Sequence, residues 1–122
     1  MHLTKHYVLA GAHGISMIDL EVLSRHEDFY VRRRVADRKR VTPEILEALA
    51  SDSSPAVRSA VALNPQTSMN LLLDLLVDPS NDVRYCMAEN HSLPKSLLEA
   101  LAQDSNPYVQ QRAQTTLSHL NS

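Results

Sequence analysis

Residues 54–65 read SPAVRSAVALNP, and the pattern of this stretch returns every 26 residues along the chain. A valine heads each of the four copies, at Val31, Val57, Val83 and Val109. Leucines keep the same step, at Leu20, Leu46, Leu72 and Leu98. A fixed period of this length indicates structural repeats that stack on one another.

Each copy predicts two short helices. Ser54 followed by Pro55 is typical of an N-cap and the first helical residue, and Pro65 ends the first helix because proline disfavours helical backbone in its predecessor. Two series of cap residues recur with the 26-residue step. The first helices are predicted to begin after Asp28, Ser54, Ser80 and Asn106, and the second helices after Ser16, Thr42 and Ser68. Pro94 takes the fourth place in the second series, so we expect that cap to shift to Ser92.

The second helix of each copy carries a leucine face that its short partner helix cannot cover alone, so the next repeat must cover it. The sequence therefore predicts an all-α solenoid of about four 26-residue repeats in one domain spanning residues 1–122. Residues 1–15 are predicted to form an N-terminal cap, residues 16–103 the repeats, and residues 104–122 a C-terminal capping helix.

Residues 50–65 with Leu71, Leu72 and Leu75, and the matching residues 78–101, resemble the leucine-rich repeat variant family, a helix-only relative of HEAT-type repeats. The resemblance covers roughly residues 16–117 and implies a right-handed superhelix of paired short helices. It also implies an Asp–Arg ladder between neighbouring repeats, carried here by Asp52–Arg58 and Asp78–Arg84. His26 and Gln110 depart from that pattern, so the ladder is expected to weaken at both ends.

Composition narrows the classes of function. Cys86 is the only cysteine, which excludes an internal disulfide, suits a cytoplasmic protein and argues against a cysteine-based metal cluster. Cys86 aligns with Ala60 and is predicted to be an inert core residue.

The two glycines, Gly11 and Gly14, predict a turn and not a phosphate loop. We predict no cofactor. The start of the chain lacks a charged region followed by an uninterrupted apolar stretch, so we predict no secretory signal. No stretch approaches the ~20 apolar residues of a membrane span, so we predict no membrane partner. His2 and His6 lie at i and i+4, but without a third ligand they predict no metal site.

The sharpest departure from the repeat is a basic cluster, Arg32–Arg40, in which six of nine residues are Arg or Lys. Three interpretations stay open: a solvated face, a site for an acidic protein partner, or a phosphate-backbone site for nucleic acid. Arg34 and Arg38 are predicted to share a helix face. The candidate contact residues of the cluster are Arg33, Arg34, Arg38, Lys39 and Arg40.

A second set of candidates consists of bulky apolar or aromatic residues at positions that are polar or charged in other repeats. Leu63 stands where Asp37 and Glu89 stand, and Tyr85 where Arg33 and Ser59 stand. Leu73 stands where Glu47 and Glu99 stand. Such residues mark either a contact patch or scattered surface apolar residues.

No set of nucleophile, base and orienting residue can be assembled from the spacing, so the sequence predicts a protein that is not an enzyme. The preferred function is a scaffold or interaction module that binds a protein partner through a repeat surface. The alternative is nucleic-acid binding through Arg32–Arg40.

Overall fold

A computed structural model describes residues 4–121, and the only regular secondary structure in this part of the chain is nine short α-helices. They are α1 (Lys5–Ala10), α2 (Met17–Leu23), α3 (Phe29–Ala36), α4 (Pro43–Leu49), α5 (Pro55–Leu63), α6 (Met69–Leu75), α7 (Asn81–Glu89), α8 (Lys95–Leu101) and α9 (Pro107–Leu120). No helix within residues 4–121 is long and apolar enough to cross a membrane. Met1, His2 and Leu3 of the predicted N-terminal cap, and Ser122, lie outside the described residues.

The helices form two layers. Each odd-numbered helix packs against the next odd-numbered helix, from α1 through α9, whereas the even-numbered helices pack chiefly against their neighbours in sequence. The repeated valines lie in the odd-numbered layer and are almost fully buried, as is Leu98 in α8. The chain is therefore all-α, with a regular sequential packing that fits a repeat array.

The predicted helix caps are confirmed at nearly every place. Side chains at Asp28, Ser80 and Asn106 accept from main-chain amides of the helices that follow, whereas Ser54 occupies the N-cap without a side-chain bond. The predicted shift to Ser92 is wrong. Pro94 itself is the N-cap of α8, because its carbonyl accepts from the amides of Leu97 and Leu98.

Three Arg–Asp pairs join successive repeats, and we call them the rungs. In each, an arginine Nε donates to an aspartate Oδ2 twenty residues later in the chain. The pairs are Arg32–Asp52 at 2.7 Å, Arg58–Asp78 at 2.8 Å and Arg84–Asp104 at 2.9 Å. The expected weakening does not reach these three pairs, because each arginine takes its carboxylate from the following repeat. His26 and Gln110 therefore remove no partner from these three arginines.

Each rung also fixes the turns beside it. Asp78 accepts from the Ser80 amide as well as from Arg58, and Arg58 Nη1 donates to the Asp52 carbonyl at 2.7 Å. The hydrogen bond to Asp78 raises the pKa of Arg58, and the bond to Asp52 raises the pKa of Arg32, in each case against the opposing effect of burial. The rungs thus tie each turn to the repeats on both sides.

A pair of histidines occupies the rung position that precedes Arg32–Asp52. His6 aligns with the rung arginines and His26 with the rung aspartates, and His26 Nε2 lies 3.1 Å from His6 Nδ1. His26 Nδ1 accepts from the Asp28 amide, as Asp78 accepts from Ser80. Because Nδ1 is an acceptor, Nε2 carries the proton and donates to His6. The two ring nitrogens of His26 therefore occupy the places of the two carboxylate oxygens of a rung, but the hydrogen bond between the paired side chains runs in the opposite direction.

Converting this histidine pair into an Arg–Asp pair is expected to stabilise the first repeat. The double variant His6→Arg/His26→Asp replaces a neutral hydrogen bond with a charge-assisted one, and we expect the free energy of unfolding to rise by about 1 kcal/mol. Chemical denaturation of the wild type, both single variants and the double variant measures the coupling. Additive effects of the two single changes would contradict a shared rung.

A second series of polar residues, which we call the turn donors, bonds to main-chain carbonyls of the preceding repeat at three register positions. Asn64 Nδ2 donates to the carbonyls of Ala36 and Arg38 at 2.8 and 2.7 Å. One repeat earlier, Arg38 Nη1 donates to Ala10 and Ala12 at 3.0 and 2.8 Å. Thr116 Oγ1 does the same to Ala88 at 2.6 Å. Arg38 is thus a turn donor in the same register as Asn64.

Candidate functional site

The structure divides the basic cluster Arg32–Arg40 among separate environments. Arg32 belongs to a rung, and Arg38 is a turn donor. Arg34 lies across α1, with its guanidinium carbon 4.9 Å from the Tyr7 ring centroid and Nη1 donating to the Tyr7 hydroxyl at 3.4 Å. Half of the six basic side chains therefore serve contacts within the fold.

The predicted shared helix face of Arg34 and Arg38 is wrong. The helix α3 ends at Ala36, and Asp37 is its C-cap, so Arg38 lies in the turn that follows. The i, i+4 spacing implied a common face only if the helix continued for a further turn.

The remaining three basic residues point to two different places. The Arg33 guanidinium lies 5.3 Å from the Tyr30 ring centroid on α3. Lys39 and Arg40 are exposed and, with Arg38, line a cavity beside residues 11–14. The structure does not bring all five predicted contact residues of the cluster into one site.

The apolar candidates are also divided. Leu63 and Leu73 are each 47% exposed and Tyr85 is 37% exposed. Leu63 and Tyr85 lie on α5 and α7 in the odd-numbered layer, whereas Leu73 lies on α6 in the other layer. Leu63 and Arg33 line the same groove, and Leu73 is not part of it.

This groove, which we call the α5 groove, follows the outward surface of α5 between α3 and α7 and has a volume of about 460 Å³. It is lined by Arg33, Asp37, Pro55, Ala56, Ser59, Ala60, Leu63, Asp82 and Cys86. Its cause is visible in the repeat alignment. Ala56 stands between Tyr30 and Asp82, and Ser59 between Arg33 and Tyr85. Small residues at successive outward positions of α5 make that helix the floor, with larger side chains on either side.

The walls of the α5 groove carry charges of both signs. Arg33 and Asp37 lie on the α3 wall, and Asp82 lies on the α7 wall. Desolvation raises the pKa of the Asp37 carboxyl, and Arg33 and Arg34 act in the opposite direction. The apolar floor of the groove and its charged walls together suit a ligand that has one apolar face flanked by polar groups.

Cys86 differs from its prediction as an inert core residue. It is only half-buried and lines the α5 groove, because the small Ala60 and Ser59 side chains leave it uncovered.

The sequence patterns did not identify Ala56, Ser59 and Ala60 as groove residues. The signal that could have found them is a run of small residues at positions occupied by large ones in adjacent repeats.

A cavity of about 840 Å³, larger than the α5 groove, lies between α2 and α4 in the even-numbered layer. Its charged lining residues are largely paired within the protein, Arg32 with Asp52 at 2.7 Å and Arg25 with Glu21 at 3.4 Å. It is the gap that the splayed even-numbered helices leave over the first rung. Within residues 4–121, no cluster of three or more His, Cys, Asp or Glu side chains is arranged to hold a metal ion.

Comparison of the chain with models of known protein families, with curated protein sequences and with solved structures gave no significant match.

Proposed function

We propose that this chain is a non-catalytic, cytoplasmic interaction module whose α5 groove binds a short amphipathic helix of a protein partner. We further propose that it is a right-handed solenoid of the leucine-rich repeat variant type. The 26-residue period and the rungs support the solenoid type. One observation carries the binding function: α5 alone of the three adjacent helices α3, α5 and α7 has Ala or Ser at all three of the aligned positions that Ala56, Ser59 and Ala60 occupy in the groove.

The length of the groove limits the length of the helix that it can bind. The helix α5 has nine residues, which at 1.5 Å per residue gives a floor of about 13 Å. A partner helix of two to three turns covers that length, and its apolar residues at i, i+3 and i+4 would contact Ala56, Ala60 and Leu63. An acidic residue toward Arg33 and a basic residue toward Asp82 would fix its orientation.

The rival function, nucleic-acid binding through Arg32–Arg40, has weaker support. A backbone-binding surface needs several cations that face the same phosphates. Arg32, Arg34 and Arg38 make contacts within the fold, and Arg33 lies apart from Lys39 and Arg40. Strong binding to duplex DNA that falls steeply with salt would favour this rival over the groove.

Filling the groove is expected to weaken partner binding at least tenfold. The variant Ala56→Tyr/Ser59→Tyr places tyrosines where Tyr30 and Tyr85 already stand in adjacent repeats, so the fold should accept them. Peptides selected from a phage-displayed random 16-residue library on the wild type are the probe, and calorimetry gives their Kd. The expected peptides are amphipathic helices.

The matched control is Ser96→Tyr/Ala100→Tyr, which makes the same two changes at exposed positions of α8. It should leave the Kd within about twofold. Cys86 supplies an independent readout, because a bound peptide should slow the reaction of this single thiol with a maleimide. Selected peptides that bind the filled groove as tightly as the wild type, and leave thiol reactivity unchanged, would refute the proposal.

A further inference from the structure

A second cavity, which we call the turn pocket, lies away from the α5 groove and is basic throughout. It has a volume of about 460 Å³ and lies between the turn at residues 11–14 and the turn at residues 38–40. Its lining residues are Gly11, His13, Gly14, Arg38, Lys39 and Arg40, with no carboxylate among them. The nearest acid in sequence, Asp37, lines the α5 groove instead.

The fold does not require these charges. The corresponding turns of the next two repeats read Asn64-Pro65-Gln66 and Asn90-His91-Ser92, with no Lys or Arg. Asn64 performs the turn-donor role with a neutral amide. The positive charge of Arg38, Lys39 and Arg40 is therefore surplus to the needs of the turn, and three adjacent cations repel one another unless an anion is present.

Arg38 is held in place beside the pocket. Its Nη1 donates to two main-chain carbonyls, Ala10 and Ala12, which fixes the guanidinium against the 11–14 turn. Its Nε is buried and has no hydrogen-bond partner among the described residues. The guanidinium is therefore fixed at the wall of the pocket, where its charge acts on any ligand.

The main chain on the other side of the pocket is open. Gly14 has φ +75°, and nothing lies within 4 Å of the place where a side chain would begin. A glycine in this conformation leaves the backbone accessible to a ligand. His13 is exposed beside it and offers a further donor.

We propose that the turn pocket binds a terminal phosphate group, either free phosphate or a phosphate monoester. Lys39 and Arg40 would contact the phosphate oxygens from the solvent side, and the Arg38 guanidinium would contact them from the side of the 11–14 turn. Charge-assisted bonds of Arg and Lys to phosphate are short and strong, which suits a compact, multiply charged anion. The inference is independent of the α5 groove.

The test is an amide NMR titration with inorganic phosphate, with sodium chloride at the same ionic strength as the reference. We expect saturable shifts confined to residues 11–14 and 38–40. The variant Lys39→Ser/Arg40→Ser should weaken binding at least tenfold and remain folded, because neutral residues occupy these positions in the next repeats. The control Arg25→Ser/Lys95→Ser removes one arginine and one lysine from exposed positions away from the pocket, in the turn after α2 and in α8, and should change Kd less than twofold.

Two further titrations identify the source of the phosphate. Phosphoserine that binds more tightly than inorganic phosphate indicates a monoester ligand, and the reverse order indicates free phosphate; either supports the pocket. Shifts that do not saturate, or an equal loss of affinity in both double variants, would overturn it. Binding to a DNA duplex without binding to either small phosphate would also overturn it in favour of a backbone-binding surface.

Discussion

Replacing Asp78 by alanine is expected to lower the free energy of unfolding by about 3–5 kcal/mol, because it leaves the Arg58 guanidinium charged, enclosed and without its carboxylate. The Arg58 and Asp78 side chains are only 13% and 5% exposed, so solvent replaces little of the lost interaction. The change also removes the acceptor for the Ser80 amide. Guanidinium denaturation followed by circular dichroism measures the loss.

Three companion variants separate the parts of this effect. Asp78→Asn keeps an acceptor for the Ser80 amide but loses the charge and the acceptor for Arg58 Nε, so it should cost less than alanine. Arg58→Met/Asp78→Ala removes both charges and should be less destabilised than the sum of its single changes. Asp82→Ala, at an exposed acid of α7, is the control and should stay within about 0.5 kcal/mol. A loss at Asp78 no larger than at Asp82 would show that the rung contributes nothing.

The raised pKa of Arg58 determines how the arginine side of the rung responds to pH. The pKa of Arg58 is raised in the folded protein, so its contribution to stability is fully present below the unfolded pKa of arginine. It is lost only as pH rises through the folded pKa. At neutral pH the contribution of Arg58 to the free energy of unfolding therefore does not change with pH.

The sequence predicted the helices well because each signal is local. Cap residues such as Asp28 and Ser80 act within three residues of their own position, and the buried valines follow the helical period. The rungs were only half predicted. The six-residue spacing Asp52–Arg58 matches the bond from Arg58 to the Asp52 carbonyl, whereas the carboxylate partner lies twenty residues further on, in the next repeat.

The candidate sites were harder to predict because a side chain's partners depend on the neighbouring repeat. Arg38 and Lys39 are adjacent and both basic, yet Arg38 bonds to the turn of an earlier repeat and Lys39 is exposed. The α5 groove forms where side chains are small: Ser59 matters because Arg33 and Tyr85, which align with it in the adjacent repeats, are larger. A search for conspicuous residues finds Leu63 and overlooks the small residues that expose it.

Changing Leu98 to alanine is expected to cost about 2–5 kcal/mol, because the side chain is fully buried in α8 and its removal leaves a cavity that the close-packed repeats cannot fill. At roughly 3–5 °C for each kcal/mol, calorimetry should show a clear fall in Tm. Leu73→Ala is the matched control, since Leu73 is 47% exposed on α6 and should lose less than about 1 kcal/mol. Because repeat arrays gain stability from each interface between neighbours, hydrogen exchange should quicken first in α7, α8 and α9. Equal losses for Leu98→Ala and Leu73→Ala would mean that the leucine face of the second helices is not what joins the repeats.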